Sequence, residues 1–281
     1  MAGSTVGVSV FVTTRDALLD TQRAFDGVAA GYDQSNETNP VIRWMRAQTI
    51  AAITRSVAPG GHLLDLGCGP GRDAATLAAA GYRVTAIDWS PAMVGQTLRR
   101  VTADGLEGRV YVRHLGIQQL SKLDTGPFDG AYSDLGPLNC VPDLGEAAQQ
   151  LSAQLRPGGV LVASVIGRFC PWEMALYYAK GNPSRATVRF ERDLVAVPLD
   201  GRTVWTRYIW PSEFAGAFES AGFERVSVRA LGLAVPPPYL EGFATRHPRL
   251  LSALEGVDDL IGGWPIFRNW GDHFLIVLRK S

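Results

Sequence analysis

The sequence predicts an α/β fold built on a doubly wound, mostly parallel β-sheet. Between residues 61 and 166, short apolar runs alternate with segments of helical periodicity. The runs are apolar at nearly every position, which is typical of parallel strands that helices cover on both faces. The alternation breaks over residues 167–210 and again over 232–271, and we expect these two stretches to be insertions that form a cap.

The composition indicates a folded chain and excludes several classes of protein. The 281 residues are 46% apolar and 19% charged, with 27 basic against 27 acidic side chains. This balance argues against a disordered chain and against a dedicated nucleic-acid binder, which normally carries a basic face. No apolar run reaches the roughly 20 residues that a membrane-spanning helix needs, and the first residues lack the basic start of a secretory signal. We therefore expect a cytoplasmic protein.

The cysteines are odd in number and widely spaced, at Cys68, Cys140 and Cys170. They lack the paired spacing or flanking histidines of a zinc site, and reduced thiols are usual in cytosolic proteins. No cluster of acidic residues suggests a catalytic magnesium ion. We expect neither a disulfide framework nor a metal site.

Helix and strand signals follow one another along the first 166 residues. Asn39 supplies a side-chain cap, Pro40 fits a first helical position, and Pro59-Gly60-Gly61 ends that helix. The predicted helices are 40–57, 71–80, 90–103 and 144–155. The predicted strands are 62–66, 83–87, 109–114, 128–133 and 160–166.

The rest of the chain is predicted to contain a hairpin, a helix and two further strands. Asp200-Gly201 is a turn signal between strands at 194–198 and 203–210. A helix at 211–218 is followed by strands at 225–230 and 273–279, and residues 232–271 are predicted to be irregular. The expected organisation is an N-terminal lid segment (1–38), a core (39–166), a cap insertion (167–210), a continuation of the core (211–231), a second cap insertion (232–271) and a final strand (272–281).

The strongest functional signal is a glycine-rich loop between a strand and a helix, Asp65-Leu66-Gly67-Cys68-Gly69-Pro70-Gly71. Glycines there let the backbone turn tightly and let a ligand approach the main chain. The next strand ends in Asp88, at the position from which a carboxylate reaches ribose hydroxyls. A dinucleotide-binding fingerprint would need glycine where Arg72 stands. An acidic Asp65 suits a cationic, zwitterionic ligand better than a pyrophosphate.

These motifs resemble those of the class I S-adenosylmethionine (SAM)-dependent methyltransferases. The matching segments are the loop at 65–71, the end of the second strand at 88–93, the fourth-strand element at 128–139 and the segment at 155–159. Residues 25–33 are similar to the entry helix of the ubiquinone/menaquinone-type branch. The resemblance implies a Rossmann-like sheet of seven strands with an antiparallel last strand, and SAM as the cofactor.

The resemblance also implies roles for individual residues around SAM. The main chain at 67–69 is expected to cradle the amino-acid end, with Asp65 nearby. Trp89 and Met93 are expected to flank the adenine, and Tyr32 to close over the cofactor, although ordinary packing is the alternative for Tyr32. The expected cofactor contacts are Tyr32, Asp65, Gly67, Cys68, Gly69, Gly71, Asp88, Trp89, Met93, Gln118 and Ser133.

The chain departs from the family pattern after the third strand. Many relatives carry an acidic residue there, which accepts a hydrogen bond from the adenine amino group. Residues 114–118 read His-Leu-Gly-Ile-Gln instead. Adenine recognition would therefore depend on the main chain or on Gln118.

Two residues are candidates for a catalytic role, Asp134 and His273. Asp134 follows the fourth strand at the carboxyl edge of the sheet, where ligands bind, and could act as a base or orient the substrate. The alternative is an exposed loop carboxylate. If the last strand is antiparallel, Asp272-His273 would face the rim of the pocket, and histidine suits proton transfer near neutral pH. A structural role is the alternative for His273.

The two insertions carry aromatic and basic residues that suggest a substrate-binding lid. An apolar, aromatic lid would suit a small hydrophobic substrate, whereas the alternative is a small core internal to the cap. The tryptophans concerned are Trp172, Trp205, Trp210, Trp264 and Trp270. The arginines that could pair with an acidic group of the substrate, or simply be solvated, are Arg168, Arg189, Arg192 and Arg207.

Two negative observations point to a small-molecule acceptor. Enzymes that methylate amino groups of nucleic acids and glutamine carry Asn/Asp-Pro-Pro-Tyr where this chain has Ser133-Asp134-Leu135-Gly136. Cytosine-C5 enzymes need Pro-Cys, whereas Cys170-Pro171 is reversed. We predict metal-independent methyl transfer from SAM to a small hydrophobic or aromatic metabolite, with no nucleic-acid partner. The alternatives are an inactive SAM-binding scaffold, an aminopropyl transferase and, last, an NAD-linked dehydrogenase.

Overall fold

The computed structural model describes residues 12–281, so the first part of the expected N-terminal lid segment lies outside the described residues. The helices are α1 (Thr14–Thr38), α2 (Pro40–Ser56), α3 (Arg72–Ala79), α4 (Pro91–Ala103), α5 (Leu144–Gln154), α6 (Pro171–Ala179), α7 (Pro183–Ala186), α8 (Pro211–Glu219), α9 (Glu241–Arg246) and α10 (Pro248–Ile261). The strands are β1 (His62–Leu66), β2 (Arg83–Asp88), β3 (Val110–His114), β4 (Phe128–Ser133), β5 (Leu155–Ile166), β6 (Val195–Leu199), β7 (Arg202–Thr206), β8 (Phe223–Leu231) and β9 (His273–Lys280).

Seven of the strands form one sheet, in the order β3-β2-β1-β4-β5-β9-β8. Strand β1 pairs in parallel with β2 and β4, while β9 is antiparallel to both β5 and β8. The predicted Rossmann-like sheet with an antiparallel last strand is confirmed. The strand order reverses between β1 and β4, and in such sheets this switch point opens a crevice at the carboxyl ends of the strands.

Apolar side chains cover both faces of the sheet, as the continuous apolar strands predicted. One face packs against α5 and α8 through a cluster that includes Phe128, Phe214 and Phe274. The other face packs against α2, α3 and α4 through a cluster that includes Leu77 and Tyr132. Each fully buried side chain of this size contributes about 2–3 kcal/mol. The loops at the carboxyl edge therefore extend from a rigid support.

Helix α2 begins where the cap signals predicted. The Asn39 side chain accepts hydrogen bonds from the backbone N–H groups of Val41 (3.0 Å) and Ile42 (3.3 Å), and Pro40 occupies the first turn. These contacts satisfy two of the donors that a helix start leaves unpaired. The Asn39 side chain thus fixes the start of α2, which packs on the sheet. The inner face of α2 reaches the carboxyl edge of the sheet.

The predicted hairpin is confirmed, with β7 ending at Thr206, and it packs against α1. The backbone N–H of Trp205 donates to the Thr21 hydroxyl at 3.0 Å, and its indole Nε1 donates to Asp20 at 3.2 Å. These bonds join residues about 185 positions apart in the chain. Together α1 and the hairpin form a wall over the carboxyl edge of the sheet.

The prediction of an irregular stretch over 232–271 was wrong, because α9 and α10 lie within it. Pro248 fits the first turn of α10, since a helix start needs no N–H there. Leu251, Leu254 and Asp258 then recur at helical spacing and face the core. The two helices are separated by His247 alone, and Pro248 marks the start of the second.

Residues 12–281 contain neither a membrane-spanning helix nor a cluster of metal ligands. No helix in this part of the chain combines the length and the apolar character needed to cross a bilayer. No group of at least three His, Cys, Asp or Glu side chains comes together there as a metal site.

Candidate functional site

A cavity of about 310 Å³ lies at the carboxyl edge of the sheet, over the switch point between β1 and β4. Its floor is formed by the loops that follow β1, β2 and β4, and its walls by α1 and the β6–β7 hairpin. Most of the residues predicted from the sequence line it, namely Tyr32, Asp65, Gly67, Cys68, Gly69, Asp88, Trp89, Met93, Gln118 and Asp134.

The glycine loop needs its glycines for two different reasons. Gly67 has φ +85°, and a Cβ there would lie 2.5 Å from the Pro137 side chain. A Cβ on Gly71, at φ +77°, would lie 2.5 Å from Thr97. Gly69, in contrast, has open space on the side where a Cβ would project. Gly71 therefore shapes the loop from outside the cavity, while Gly69 leaves room beside the main chain for a ligand.

The backbone donors of this loop are already used inside the protein. The N–H groups of Gly67 and Cys68 both donate to the Ile87 carbonyl, at 3.0 and 2.9 Å. The Gly69 N–H donates to Asp88 at 2.8 Å, and the Gly71 N–H to the Cys68 carbonyl at 2.9 Å. A pyrophosphate depends on free N–H donors in such a loop. The main chain at 67–69, which was expected to cradle the amino-acid end of SAM, consequently offers a ligand space and carbonyl oxygens more than N–H donors.

An acidic group of side chains lies at one end of the cavity. Asp65 is buried and accepts a hydrogen bond from the Tyr132 hydroxyl at 2.9 Å. Burial raises the pKa of Asp65 well above its usual value, with a further contribution from the negative charge of Asp73. Asp134 accepts a hydrogen bond from the Thr49 hydroxyl at 2.7 Å through Oδ1. Its Oδ2 is buried without a hydrogen-bond partner among the described residues.

Arg46 and Asp73 complete this group and were not predicted from the sequence. Arg46 donates to Asp73 at 2.5 Å, and both line the cavity. Burial raises the pKa of Asp73 to about 6, although Arg46 opposes the shift. No motif marks either residue, and only the acidic position two residues after Gly71 could have suggested Asp73. The group of Asp65, Asp73, Asp134 and Arg46, called the acidic end below, suits a ligand that carries positive charge.

Asp88 lies at the other end of the cavity and shapes the two loops beside it. Its carboxylate accepts hydrogen bonds from the Gly69 N–H and the Ser90 N–H, both at 2.8 Å. Burial raises the pKa of Asp88, while these two hydrogen bonds lower it. The fold brings Asp88 to the rim of the open space beside Gly69.

The surface next to Asp88 is apolar and partly aromatic. Met93 is buried, and the Trp89 ring stacks against His114 with ring centres 5.9 Å apart. Leu115, Ile117 and Gln118 extend this surface. The Trp89 carbonyl accepts a hydrogen bond from Gln22 on α1 at 2.7 Å. This end of the cavity can receive a flat, apolar ring.

Besides Gly71, two predicted site residues lie outside the cavity lining, Ser133 and His273. Ser133 is fully buried, and its hydroxyl donates to the Leu66 carbonyl at 3.0 Å, which joins β4 to β1. The expectation that Asp272 and His273 face the pocket rim was wrong. His273 Nδ1 lies 2.9 Å from Asp272, and neither side chain lines the cavity.

Asp272 belongs to a buried ion network that explains the position of His273. Arg189 donates to Asp272 at 2.6 Å and to Glu173 on α6 at 2.8 Å. Burial favours the neutral acid, but the Arg189 guanidinium outweighs it and holds the pKa of Asp272 below its usual value. The start of β9 is therefore covered by the segment that carries Arg189. Sequence periodicity could predict strand β9, but it could not show that the segment with Arg189 covers the start of this strand.

The expectation of an aromatic lid made by the cap tryptophans was also wrong. None of Trp172, Trp205, Trp210, Trp264 and Trp270 lines the cavity. Trp205 donates to Asp20 on α1, while other tryptophans contact partners within the cap, for example Trp270 against Phe169 with ring centres 5.3 Å apart and Trp172 Nε1 bound to the Ala234 carbonyl at 2.9 Å. This arrangement corresponds to the alternative of a small core internal to the cap.

The wall above the glycine loop is mostly aliphatic, with a few polar groups. The residues from α1 and the hairpin, in addition to Tyr32, are Leu18, Thr21, Gln22, Phe25, Val197, Leu199, Val204 and Thr206. Tyr32 lines the cavity from α1, and its ring packs edge-on against Phe25. Burial raises the pKa of the Cys140 thiol, which also lines the cavity, to about 12. A thiolate nucleophile is therefore not available at Cys140 near neutral pH.

Comparisons with known proteins agree with this architecture. Residues 63–159 match the family described as Methyltransferase domain. The chain is 32% identical over 208 residues to the ubiquinone biosynthesis O-methyltransferase of Alkalilimnicola ehrlichii, which covers 72% of this chain and 77% of that protein. It is 34% identical over 143 residues to the demethylmenaquinone methyltransferase of Clavibacter sepedonicus, over 49% of this chain and 54% of that protein.

A solved structure shares the fold over nearly the whole chain. The Burkholderia thailandensis 1,6-didemethyltoxoflavin-N1-methyltransferase, crystallised with 1,6-didemethyltoxoflavin and S-adenosylhomocysteine, covers 98% of this chain and 93% of its own. The TM-score is 0.61 and the sequence identity is 18%. At this identity the likeness shows the fold alone.

The cavity fits SAM in two respects. The space beside Gly69 admits a ligand against the main chain, and the carboxyl groups of the acidic end suit its positive charge. The loop, whose donors at 67–69 are engaged, does not favour a pyrophosphate. The chain belongs to the class I SAM-dependent methyltransferases, in their quinone-type branch, and SAM is its cofactor.

Proposed function

We propose that this small-molecule methyltransferase acts on an apolar, ring-containing acceptor of the quinone-precursor type, at a phenolic hydroxyl group. The observation that carries the proposal is the aliphatic wall made by α1 and the hairpin, interrupted by the Thr21 and Thr206 hydroxyls. Such a wall binds a ring by apolar contact and leaves a few polar groups to fix its orientation. The names of the relatives in ubiquinone and menaquinone synthesis support the same class of acceptor.

The proposed position of the cofactor follows the two ends of the cavity. Arg46 would bind the carboxylate of SAM, while Asp65 and Asp73 would attract its ammonium group through opposite charge. Asp88 would hold the ribose hydroxyls, since hydrogen bonds to a carboxylate are among the strong ones. The adenine would lie against Trp89 and its apolar neighbours.

The proposed chemistry needs little from the protein beyond alignment. Bound SAM supplies an electrophilic methyl group on a positively charged sulfur, which leaves as a neutral thioether. The wall residues orient the acceptor for in-line attack, and such positioning can supply several kcal/mol of the barrier reduction. We propose that Asp134 takes the proton of the acceptor hydroxyl while the hydroxyl oxygen of the acceptor bonds to the methyl carbon of SAM. The carboxylate has a buried, unpartnered oxygen for this role.

Ser133, Gly71 and His273 enter this proposal only as structural residues. Ser133 ties β4 to β1, and Gly71 permits the close approach of Thr97. His273 is held by Asp272 away from the cavity lining. The inactive scaffold and the aminopropyl transferase receive no support from the relatives named above, which are methyltransferases.

The experiment that tests the proposal separates binding from turnover. Calorimetry with S-adenosylhomocysteine measures the cofactor site, with NADH as the control ligand. Methyl transfer from labelled SAM is then measured to catechols and naphthoquinols that carry apolar tails, with nucleic acid as the control acceptor. We expect one-to-one binding and labelled product from the ring compounds. Binding without product from any of them would overturn the proposed acceptor class.

The role of Asp134 has its own test and a matched control. Asp134→Asn is expected to lower kcat by about 100-fold at saturating SAM, the usual size of a lost general base. Asp104→Asn, at the exposed end of α4, is the control. An acceptor whose hydroxyl is already ionised at the assay pH should restore the rate of the Asp134 variant. Failure of that rescue would contradict a role in proton transfer.

A further inference from the structure

A second groove, of about 790 Å³, lies on the surface beside the cofactor cavity. It is bordered by the first turns of α5 and α8 and by the segment that carries Arg168, Phe190 and Arg192. Val141 is the residue common to the linings of the groove and the cavity. The groove is therefore a neighbouring but separate site, and methyl transfer as proposed above does not use it.

Arg168 is buried in the wall of this groove with part of its guanidinium unpaired. Its side chain is 9% exposed and donates through Nη1 to the carbonyls of Phe190 and Glu191, each at 3.2 Å. Its Nε is buried without a hydrogen-bond partner in the described part of the chain. The nearest carboxylate, Glu213, lies 3.7 Å away and is half exposed. A buried cation with an unused donor is costly to a protein unless a ligand pairs with it.

Two further arginines line the groove without an acidic partner. Arg207 has a buried Nε with no hydrogen-bond partner among residues 12–281, and Arg192 is exposed. The acidic residues of the lining are already engaged: Asp143 caps α5, and Glu213 accepts the Trp210 N–H at 2.9 Å. The fourth arginine predicted from the sequence, Arg189, is committed to the buried network with Asp272 and Glu173 instead. The groove thus carries an excess of positive charge.

The remaining features of the groove define the kind of anion it suits. Helices α5 and α8 both begin in its wall, but Asp143 and Glu213 already occupy their first turns, so the arginines are the groups that remain for an anion. Phe190 and Trp210 lie beside each other, with ring centres 6.4 Å apart and Phe190 39% exposed. Guanidinium groups match the oxygen geometry of phosphate, and the two rings offer apolar contact.

We propose that this groove binds the phosphate group of an organic phosphate, with the apolar part of that molecule against Phe190 and Trp210. The ligand would be held by Arg168, Arg192 and Arg207. Because the groove lies next to the cavity without merging with it, this ligand is a second small molecule and not the cofactor.

Calorimetry on the full chain tests this proposal, with S-adenosylhomocysteine in excess to occupy the cofactor cavity. The probes are phenyl phosphate and inorganic phosphate. We expect one-to-one binding of phenyl phosphate, weakened by added salt, and about fivefold tighter than inorganic phosphate because the ring is buried against Trp210. Trp210→Ala is expected to remove the difference between the probes. Equal affinity of both probes for the unaltered protein would overturn the organic part of the proposal.

Charge-removing variants test the arginines directly. The double variant Arg192→Met/Arg207→Met is expected to weaken phenyl phosphate binding by about tenfold or more, while S-adenosylhomocysteine affinity stays unchanged and shows that the protein is folded. Arg249→Met, which removes an exposed arginine of α10 outside the groove, is the matched control and should bind as the unaltered protein does. Absence of phenyl phosphate binding, or equal binding by the double variant and the control, would overturn the proposal.

Discussion

The guanidinium of Arg46 on α2 donates to the carboxylate of Asp73 on α3 across 2.5 Å, at the edge of the cofactor cavity. The two side chains are 15% and 14% exposed. Asp134 and Asp65 add negative charge nearby, and the charge of Asp134 raises the pKa of Asp73 further. A single cation thus faces three carboxyl groups. The acidic end is short of positive charge until a ligand supplies it.

The first prediction concerns Arg46→Met. It leaves Asp73 without its partner and removes the proposed ligand of the SAM carboxylate. We expect about tenfold weaker binding of S-adenosylhomocysteine and a loss of about 2 kcal/mol in the free energy of unfolding, because a largely buried pair is broken. Calorimetry and urea unfolding measure the two effects. Arg43→Met, on the exposed side of the same helix, is the control. Tighter binding by the Arg46 variant would contradict the proposed role.

The second prediction is that SAM affinity rises with pH between about 5 and 7. The pKa of Asp73 is raised to about 6 in the ligand-free protein, so the group is partly protonated in this range. A cationic ligand favours the ionised carboxylate and lowers that pKa, so binding releases protons, and the loss of protons is easier at higher pH. S-adenosylhomocysteine, which lacks the sulfonium charge, should show a smaller rise.

Proton release can be counted by calorimetry at pH 6 in two buffers of different ionisation enthalpy. Asp73→Asn should flatten the dependence of SAM affinity on pH, whatever it does to the affinity itself. Affinity that is constant or falls across this range in the unaltered protein would contradict the idea that SAM shifts the ionisation of this carboxylate.

The core of the fold could be predicted because its signals are local and repeated. Most of the strands from His62 to Ile166 carry runs of buried apolar residues, and caps such as Asn39 mark the helix starts. The glycine loop and Asp88 were found for the same reason: their spacing reflects contacts between adjacent elements. Sequence patterns are strongest where a residue's role depends on its neighbours in the chain.

The rest of the site depends on contacts between distant segments. Arg46 meets Asp73 only because α2 crosses the sheet beside α3, and nothing in the sequence around Arg46 indicates this. His273 was expected at the pocket because β9 starts at the correct edge, but Arg189, 84 residues earlier, covers that start. Residue type and strand direction could therefore not predict the surroundings of His273, because an arginine distant in the sequence determines which groups are paired there.

The third prediction concerns Gly67→Ala. The residue has φ +85°, and its new Cβ would lie 2.5 Å from the Pro137 side chain. Backbone strain and overpacking each cost about 1–3 kcal/mol, and the displaced loop would lose cofactor affinity. Gly105→Ala is the control, since Gly105 has φ +65° but no atom within 4 Å of an added Cβ.

Urea unfolding of the two alanine variants separates the strain from the contact. Gly105→Ala should lose about 1 kcal/mol through strain alone and keep its affinity for S-adenosylhomocysteine. Gly67→Ala should lose at least twice as much, along with that affinity. Equal losses in stability would mean that Pro137 moves aside without cost, and the argument for a crowded loop would fail.

The last prediction concerns Asp258 on α10, which is fully buried. Its carboxylate accepts three consecutive backbone N–H groups, those of residues 233–235, at 2.8, 3.3 and 2.8 Å. Asp258→Ala leaves these donors buried and unpaired, and each such group costs about 1–3 kcal/mol. We expect the free energy of unfolding to fall by about 3 kcal/mol, with S-adenosylhomocysteine affinity unchanged because the residue lies outside the cavity lining.

The neighbouring Asp259 provides the control for this prediction. It is half exposed and forms an ion pair with Arg229 at 3.0 Å, and such surface pairs contribute only about 0–1 kcal/mol. Asp259→Ala should therefore unfold nearly as the unaltered protein does. If the two alanine variants have the same stability, water reaches the backbone donors in place of the Asp258 carboxylate, and this side chain does not hold residues 233–235 against α10. A large loss confined to the Asp258 variant would instead show that this contact holds the second insertion together internally.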